Sequence, residues 1–131
     1  MSAGYEPMQP VSLGTLPEFP DKETKYDLIE AGKVPSTAKE VLVYVFVTTS
    51  GEGEFQRGYY EISTSNKGKH FTQYLNVAVG QGIAAVNSAN LWLPVGEGKL
   101  AVKLVHPDDA KKSIAGTSGE DWSGVFVIGH K

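Results

Sequence analysis

Two stretches of this chain, Val41 to Thr49 (VLVYVFVTT) and Gly124 to Ile128 (GVFVI), carry no charged residue and do not alternate polar with apolar side chains. A strand with one wet face alternates, because successive side chains point to opposite sides. Runs rich in Val, Phe and Tyr that lack this alternation are covered on both faces, inside a sandwich or against a neighbouring subunit. They constrain the chain to a β body and name no reaction.

At 131 residues the sequence suits one domain with a real core. It has no cysteine, so a disulfide framework, a thiolate metal site and a cysteine nucleophile are all excluded. The net charge is -3, and Arg57 is the sole arginine among twelve basic residues. Nucleic-acid binding wants clustered Lys and Arg, so it is not expected. The first residues show no basic segment followed by an apolar one, and no stretch approaches the roughly 18 apolar residues of a membrane helix. The expectation is a soluble chain without membrane insertion, cytoplasmic or secreted after processing.

Residues 1 to 20 hold Pro7, Pro10, Pro17 and Pro20, which predicts an extended Pro-rich arm rather than a helix or a central strand. Its apolar residues Val11, Leu13, Leu16 and Phe19 suit packing on the body or on a partner; the alternative is a loose tail. Residues 21 to 131 are expected to form a single β-sandwich domain. Strands are predicted at Lys25 to Ala31, Val41 to Thr49, Gln56 to Thr64, Phe71 to Val79, Leu100 to Val105 and Trp122 to Ile128. Two shorter ones, Ile83 to Val86 and Asn90 to Leu93, are predicted around a break at Asn87-Ser88-Ala89. Asn66 to Gly68 supplies residues that tolerate positive φ, so a hairpin closes there. One helical turn is expected from Pro107 to Lys112, in the long loop from His106 to Asp121. About eight short strands separated by turn signals define the fold class as all-β, an antiparallel sandwich of jelly-roll type.

The final segment, Trp122-Ser123-Gly124-Val125-Phe126-Val127-Ile128, resembles the aromatic-Ser-Gly-apolar ending of C1q-like globular heads. The stretch from Asn90 to Val102 is similar to their strand, Gly-containing turn and strand. The resemblance is to the C1q and tumour-necrosis-factor family of trimeric jelly rolls and covers mainly the C-terminal half. It departs from many C1q relatives in lacking a Gly-X-Y stalk. It implies a trimer whose subunits bury apolar strands against one another, and a ligand-binding role without catalysis.

Chemistry-bearing patterns are few. His70, His106 and His130 lie far apart without metal-ligand spacing, no serine sits in a G-x-S-x-G elbow, and Gly80-Gln81-Gly82 and Gly51-Glu52-Gly53 lack the Lys and Ser or Thr of a phosphate loop. Asp108, Asp109, Glu120 and Asp121 gather on one loop, in a spacing that matches no EF-hand and suits a solvated acidic loop. No catalytic residue, metal or cofactor is expected.

One constellation suits a ligand. Tyr59, Tyr60, Tyr74, Trp92 and Trp122 offer flat apolar surfaces, and Gln73, Asn76, Gln81, Asn87 and Asn90 offer paired donors and acceptors. Sugars need both, because their CH faces pack on rings while their hydroxyls want fixed polar partners such as Arg57 or Glu61. The candidate ligand-binding residues are Arg57, Tyr59, Glu61, Gln73, Asn76, Asn87 and Asn90. Tyr59 and Tyr60 are adjacent, so on a strand only one of them serves a given face. Trp92 and Trp122 lie in apolar strands, as core or subunit-contact residues do.

The leading expectation is a noncatalytic, self-associating recognition module, a homo-oligomer with the trimer favoured and a glycan or protein as ligand. A carbohydrate-binding lectin and a structural or shell protein stay open beside it.

Overall fold

The β-branched and aromatic runs extend, and their hydrogen bonds close into two sheets. The computed structural model describes residues 5–17, 23–50, 56–79, 84–105 and 123–131. Among these are eight strands: β1 (Glu6–Gly14), β2 (Glu23–Asp27), β3 (Glu40–Ser50), β4 (Gln56–Asn66), β5 (Lys69–Val79), β6 (Ala84–Pro94), β7 (Lys99–Val105) and β8 (Ser123–His130). No helix occurs among the described residues. The expected helical turn at Pro107 to Lys112 and the acidic loop lie outside them, as do Gln81, His106 and Trp122.

The first sheet has the order β1-β8-β3-β6 and the second β2-β7-β4-β5. Every ladder is antiparallel: first strand meets last, second meets seventh, third meets sixth and fourth meets fifth. One long hairpin wound into two layers has this order, which is the jelly roll. Its tip is the two-residue turn between Asn66 and Lys69, where Lys67 and Gly68 adopt φ of 53° and 80°. Positive φ at both central residues matches the right-handed twist of the flanking strands.

Two strand expectations need correction. Lys25 to Ala31 is not one strand: β2 ends at Asp27, whose Oδ1 accepts hydrogen bonds from the N–H groups of Ile29 (2.9 Å) and Glu30 (3.1 Å). That local turn competes with the ladder and wins. The expected break at Asn87-Ser88-Ala89 is absent, because these residues pair with Val47, Phe46 and Val45 inside one continuous β6. An eleven-residue partner strand outweighs local turn preference. The Pro-rich N-terminal segment is extended, and Glu6–Gly14 pairs with β8 at the edge of the first sheet. Pro10 falls in the register shift between Pro7 and Val11, at a sheet edge where a missing N–H is tolerated.

The core lies between the layers. From the first sheet come Val41, Val43, Val45 and Val47 of β3, Val125 and Val127 of β8, and Leu91 and Leu93 of β6, all buried. Tyr60, Ile62, Leu75, Leu100, Val102 and Leu104 face them from the second. Each such aliphatic side chain contributes about 1.5–3 kcal/mol by leaving water. Leu16, Leu28, Val34 and Val95 close the layer from the connections. The Tyr60 hydroxyl donates to the carbonyl of Pro17 at 2.9 Å, tying the second sheet to the segment after β1.

Candidate functional site

With every odd-numbered residue from Val41 to Val47 in the core, the even-numbered ones of β3 turn outward. Leu42, Tyr44, Phe46 and Thr48 are half-buried there. Phe126 of β8 lies beside Tyr44 in the ladder, and the three rings form a cluster with centroids 6.2 to 6.3 Å apart. Phe46 and Phe126 are nearly parallel at 12°. Gly124 makes this possible: a Cβ there would stand 2.5 Å from the Phe126 ring and 2.6 Å from that of Phe46. The face continues to Trp92, paired with Leu42, and to Val86, which is 66% exposed. At the Trp92 end it is closed from within. The ring of Tyr5 meets Trp92 edge-on at 5.6 Å, and the Lys131 ammonium lies 4.6 Å above Trp92.

No Asp, Glu, Lys or Arg occurs in β3 between Val41 and Ser50, in β6, or in β8. The three adjacent strands therefore present an outer surface of aromatic, aliphatic and neutral polar groups. Sequence reasoning found the two runs without resolving their sides. The signal was size: in VLVYVFV the small valines take one parity and Leu, Tyr and Phe the other.

The outer surface of the second sheet is different. Glu23, Lys25 and Asp27 of β2, Lys99 and Lys103 of β7, and Glu61 of β4 spread both signs of charge across it. The Lys99 ammonium pairs with Asp27 at 3.6 Å. Asp27's carboxyl is held below its ordinary range, first by the Glu30 N–H and also by the Ile29 N–H and the Lys99 charge.

The sequence-derived ligand residues divide between these surfaces. Tyr59 lies directly opposite Asn76, and Glu61 opposite Tyr74, so these four share the outer face of the second sheet. The Tyr59 and Tyr74 rings meet edge-on at 5.8 Å, and Tyr74 is 55% exposed. Arg57 holds the β4 position opposite Ala78. Gln73 does not join them, because its partner Ile62 is a core residue and Gln73 takes the inward register of the edge strand β5. Asn87 and Asn90 belong to the other sheet. Asn87 pairs with buried Val47, and its side-chain nitrogen is buried without a hydrogen-bond partner; Asn90 pairs with Tyr44 on the aromatic face. Tyr60 is buried in the core, on the opposite face of β4 from Tyr59.

Among the described residues no group of His, Asp and Glu is placed to hold a metal ion, and no helix is long and apolar enough to cross a membrane.

No protein-family model matches the chain, and no curated protein sequence matches it. Among solved structures it is similar to the globular domain of zebrafish complement 1qA protein, with a TM-score of 0.44 and 11% identity over 81% of this chain and 67% of that one. The jelly-roll order stands independently, on this chain's own ladders.

Proposed function

We propose that the protein is a noncatalytic, self-associating recognition module whose copies meet through the aromatic face of β3, β6 and β8. The observation that carries this reading is the uncharged outer surface around Tyr44, Phe46 and Phe126, on a body whose core is already complete. A large contiguous apolar surface on a small domain marks an interaction site. A second copy is the occupant that fits, because the part of the face around Tyr44, Phe46 and Phe126, away from the Lys131 ammonium over Trp92, offers no electrostatic code to a foreign partner and is matched by its own kind. The assembly is a closed ring of three, as the C1q-like resemblance of the last strand implies, with each copy's charged second sheet left for ligand.

Light scattering on the full chain at micromolar concentration tests this directly. The expected mass is three times that of one chain, and Phe46→Glu or Phe126→Glu lowers it to one while the far-ultraviolet circular dichroism stays that of a β sandwich. A monomeric wild-type protein overturns the proposal, and so does a multimer that both charged variants leave intact.

A further inference from the structure

The second sheet contains a place where its ladders part. β4 pairs with β7 only as far as Ser63 opposite Ala101, whereas β4 continues along β5 to Asn66 and β7 continues along β2 to Lys99. Ser65 of β4 and Lys99 of β7 therefore stand beyond the last paired position, on strands that no longer bond to each other. The β6-β7 turn crosses this end. Glu97 N–H donates to the Ser65 carbonyl at 2.9 Å, and Gly96, at φ 56°, approaches so closely that a Cβ would fall 2.1 Å from that oxygen.

The parting leaves a cleft of about 320 Å³ bounded by Lys25, Ser63, Ser65, His70, Glu97 and Lys99. Its size suits one sugar ring, at the lower limit of small-ligand pockets. Its lining mixes apolar surface with polar groups: hydroxyls from Ser63 and Ser65, the His70 imidazole with Nδ1 2.8 Å from the Ser65 Oγ, one carboxylate and two ammoniums. Thr64 also borders the cleft, but its side chain takes the inward parity of Tyr60 and Ile62, where its buried hydroxyl oxygen has no hydrogen-bond partner. Lys99 is partly engaged by Asp27, whereas Lys25 has no ion-pair partner among the described residues.

We propose that this cleft binds a carboxylated sugar, its carboxylate meeting Lys25 and Lys99 and its ring hydroxyls meeting Ser63, Ser65 and Glu97. Each alternative leaves a lining group poorly served. A neutral sugar gives the exposed Lys25 ammonium no charge-assisted partner. A phosphate dianion brings two negative charges to a site that already holds the Glu97 carboxylate, where a sugar carboxylate brings one. An apolar ligand would cover the Lys25 and Lys99 ammoniums and the Glu97 carboxylate without pairing any of them. One negative charge with several hydroxyls satisfies the whole set, since hydroxyls both give to Glu97 and accept from the serines.

This deepens the recognition half of the function proposed above and does not depend on the oligomeric state. Saturation-transfer NMR on the full chain, with glucuronic acid, N-acetylneuraminic acid, glucose and inorganic phosphate as probes, tests it. Both acidic sugars are expected to give saturable binding that Lys25→Gln weakens about tenfold, as loss of one charge-assisted contact does, and that Glu97→Gln also weakens. Tyr74→Ala, on the same sheet but outside the cleft, is expected to leave it unchanged. No saturation by either acid overturns the proposal, as does equal binding of glucose, or phosphate competing more tightly than the sugars. Loss of binding in Tyr74→Ala with none in Lys25→Gln moves the site to the tyrosine pair and overturns it too. Light scattering on the same samples reads self-association separately, so either proposal fails without the other.

Discussion

The two sheets share one core and face outward in opposite ways. Behind β3 and β8 the outward residues are Leu42, Tyr44, Phe46 and Phe126, all half-buried, with the three rings clustered against one another. Behind β7 and β4 they are Lys99, Lys103, Glu61 and Tyr59, a mixed surface that water solvates. Both sheets use the same antiparallel pairing and the same inner valines, leucines and isoleucines, so secondary structure does not separate them. The difference lies in what the non-core parity of each strand carries. A sandwich needs each sheet apolar on one side only, and the second apolar surface is therefore extra to folding.

Three substitutions bear on this contrast, beginning with the largest effect. Gly124→Ala places a methyl group against the Phe46 and Phe126 rings; if the stack is as tight as its geometry, denaturant unfolding shows a loss of about 1–3 kcal/mol, the ordinary range for overpacking. An unchanged midpoint breaks the account of an ordered aromatic face.

Tyr26 comes next, on the inner side of the second sheet, where its hydroxyl donates to the Thr15 carbonyl. Tyr26→Phe is expected to cost about 1 kcal/mol near neutral pH, the usual net value of a hydrogen bond. Burial pushes its phenol up to about 12. Below pH about 10 the group is neutral in folded and unfolded chains alike, and above it the unfolded chain ionises first. Stability therefore falls from about pH 10 to 12 in the wild type, and Tyr26→Phe lacks that part of the fall in an alkaline titration followed by circular dichroism.

The smallest effect belongs to the charged face. Asp27's carboxyl is lowered, so its contribution is present above the ordinary carboxylate range, near pH 4, and is lost as pH falls below it. Asp27→Asn keeps an acceptor for the turn and removes the charge. Its melting temperature at neutral pH should shift only slightly, with a flatter acid limb. A large destabilisation at neutral pH would mean that the charge of Asp27 holds the fold and does not merely decorate a solvated face.

Much of the fold was legible in residue order. The Lys67-Gly68 turn, the β4 and β5 runs on either side of it and the uncharged β3 all follow from local chemistry, because turn residues and β-branched runs act over a few positions. The Asn87-Ser88-Ala89 break was misread because a turn preference of that size yields to a full-length ladder with β3. The expected ligand residues are divided by the fold. Tyr59, Glu61 and Asn76 share a face by parity and register, whereas Gln73 was lost to the other parity and Asn87 and Asn90 to the other sheet, which no local pattern reveals. The cleft residues Lys25, Ser65, His70 and Glu97 escaped notice because they are scattered over four segments and meet only where two ladders separate.

From its residues alone, then, this chain was bound to be a β sandwich with two strands too apolar for one wet face, since alternation and turn chemistry are local properties. Which side of those strands met the core, where the ladders parted, and which polar residues came to share a surface depended on strand register and sheet order. Those are set by contacts between distant segments, and they exist only once the hairpin has wound into two layers.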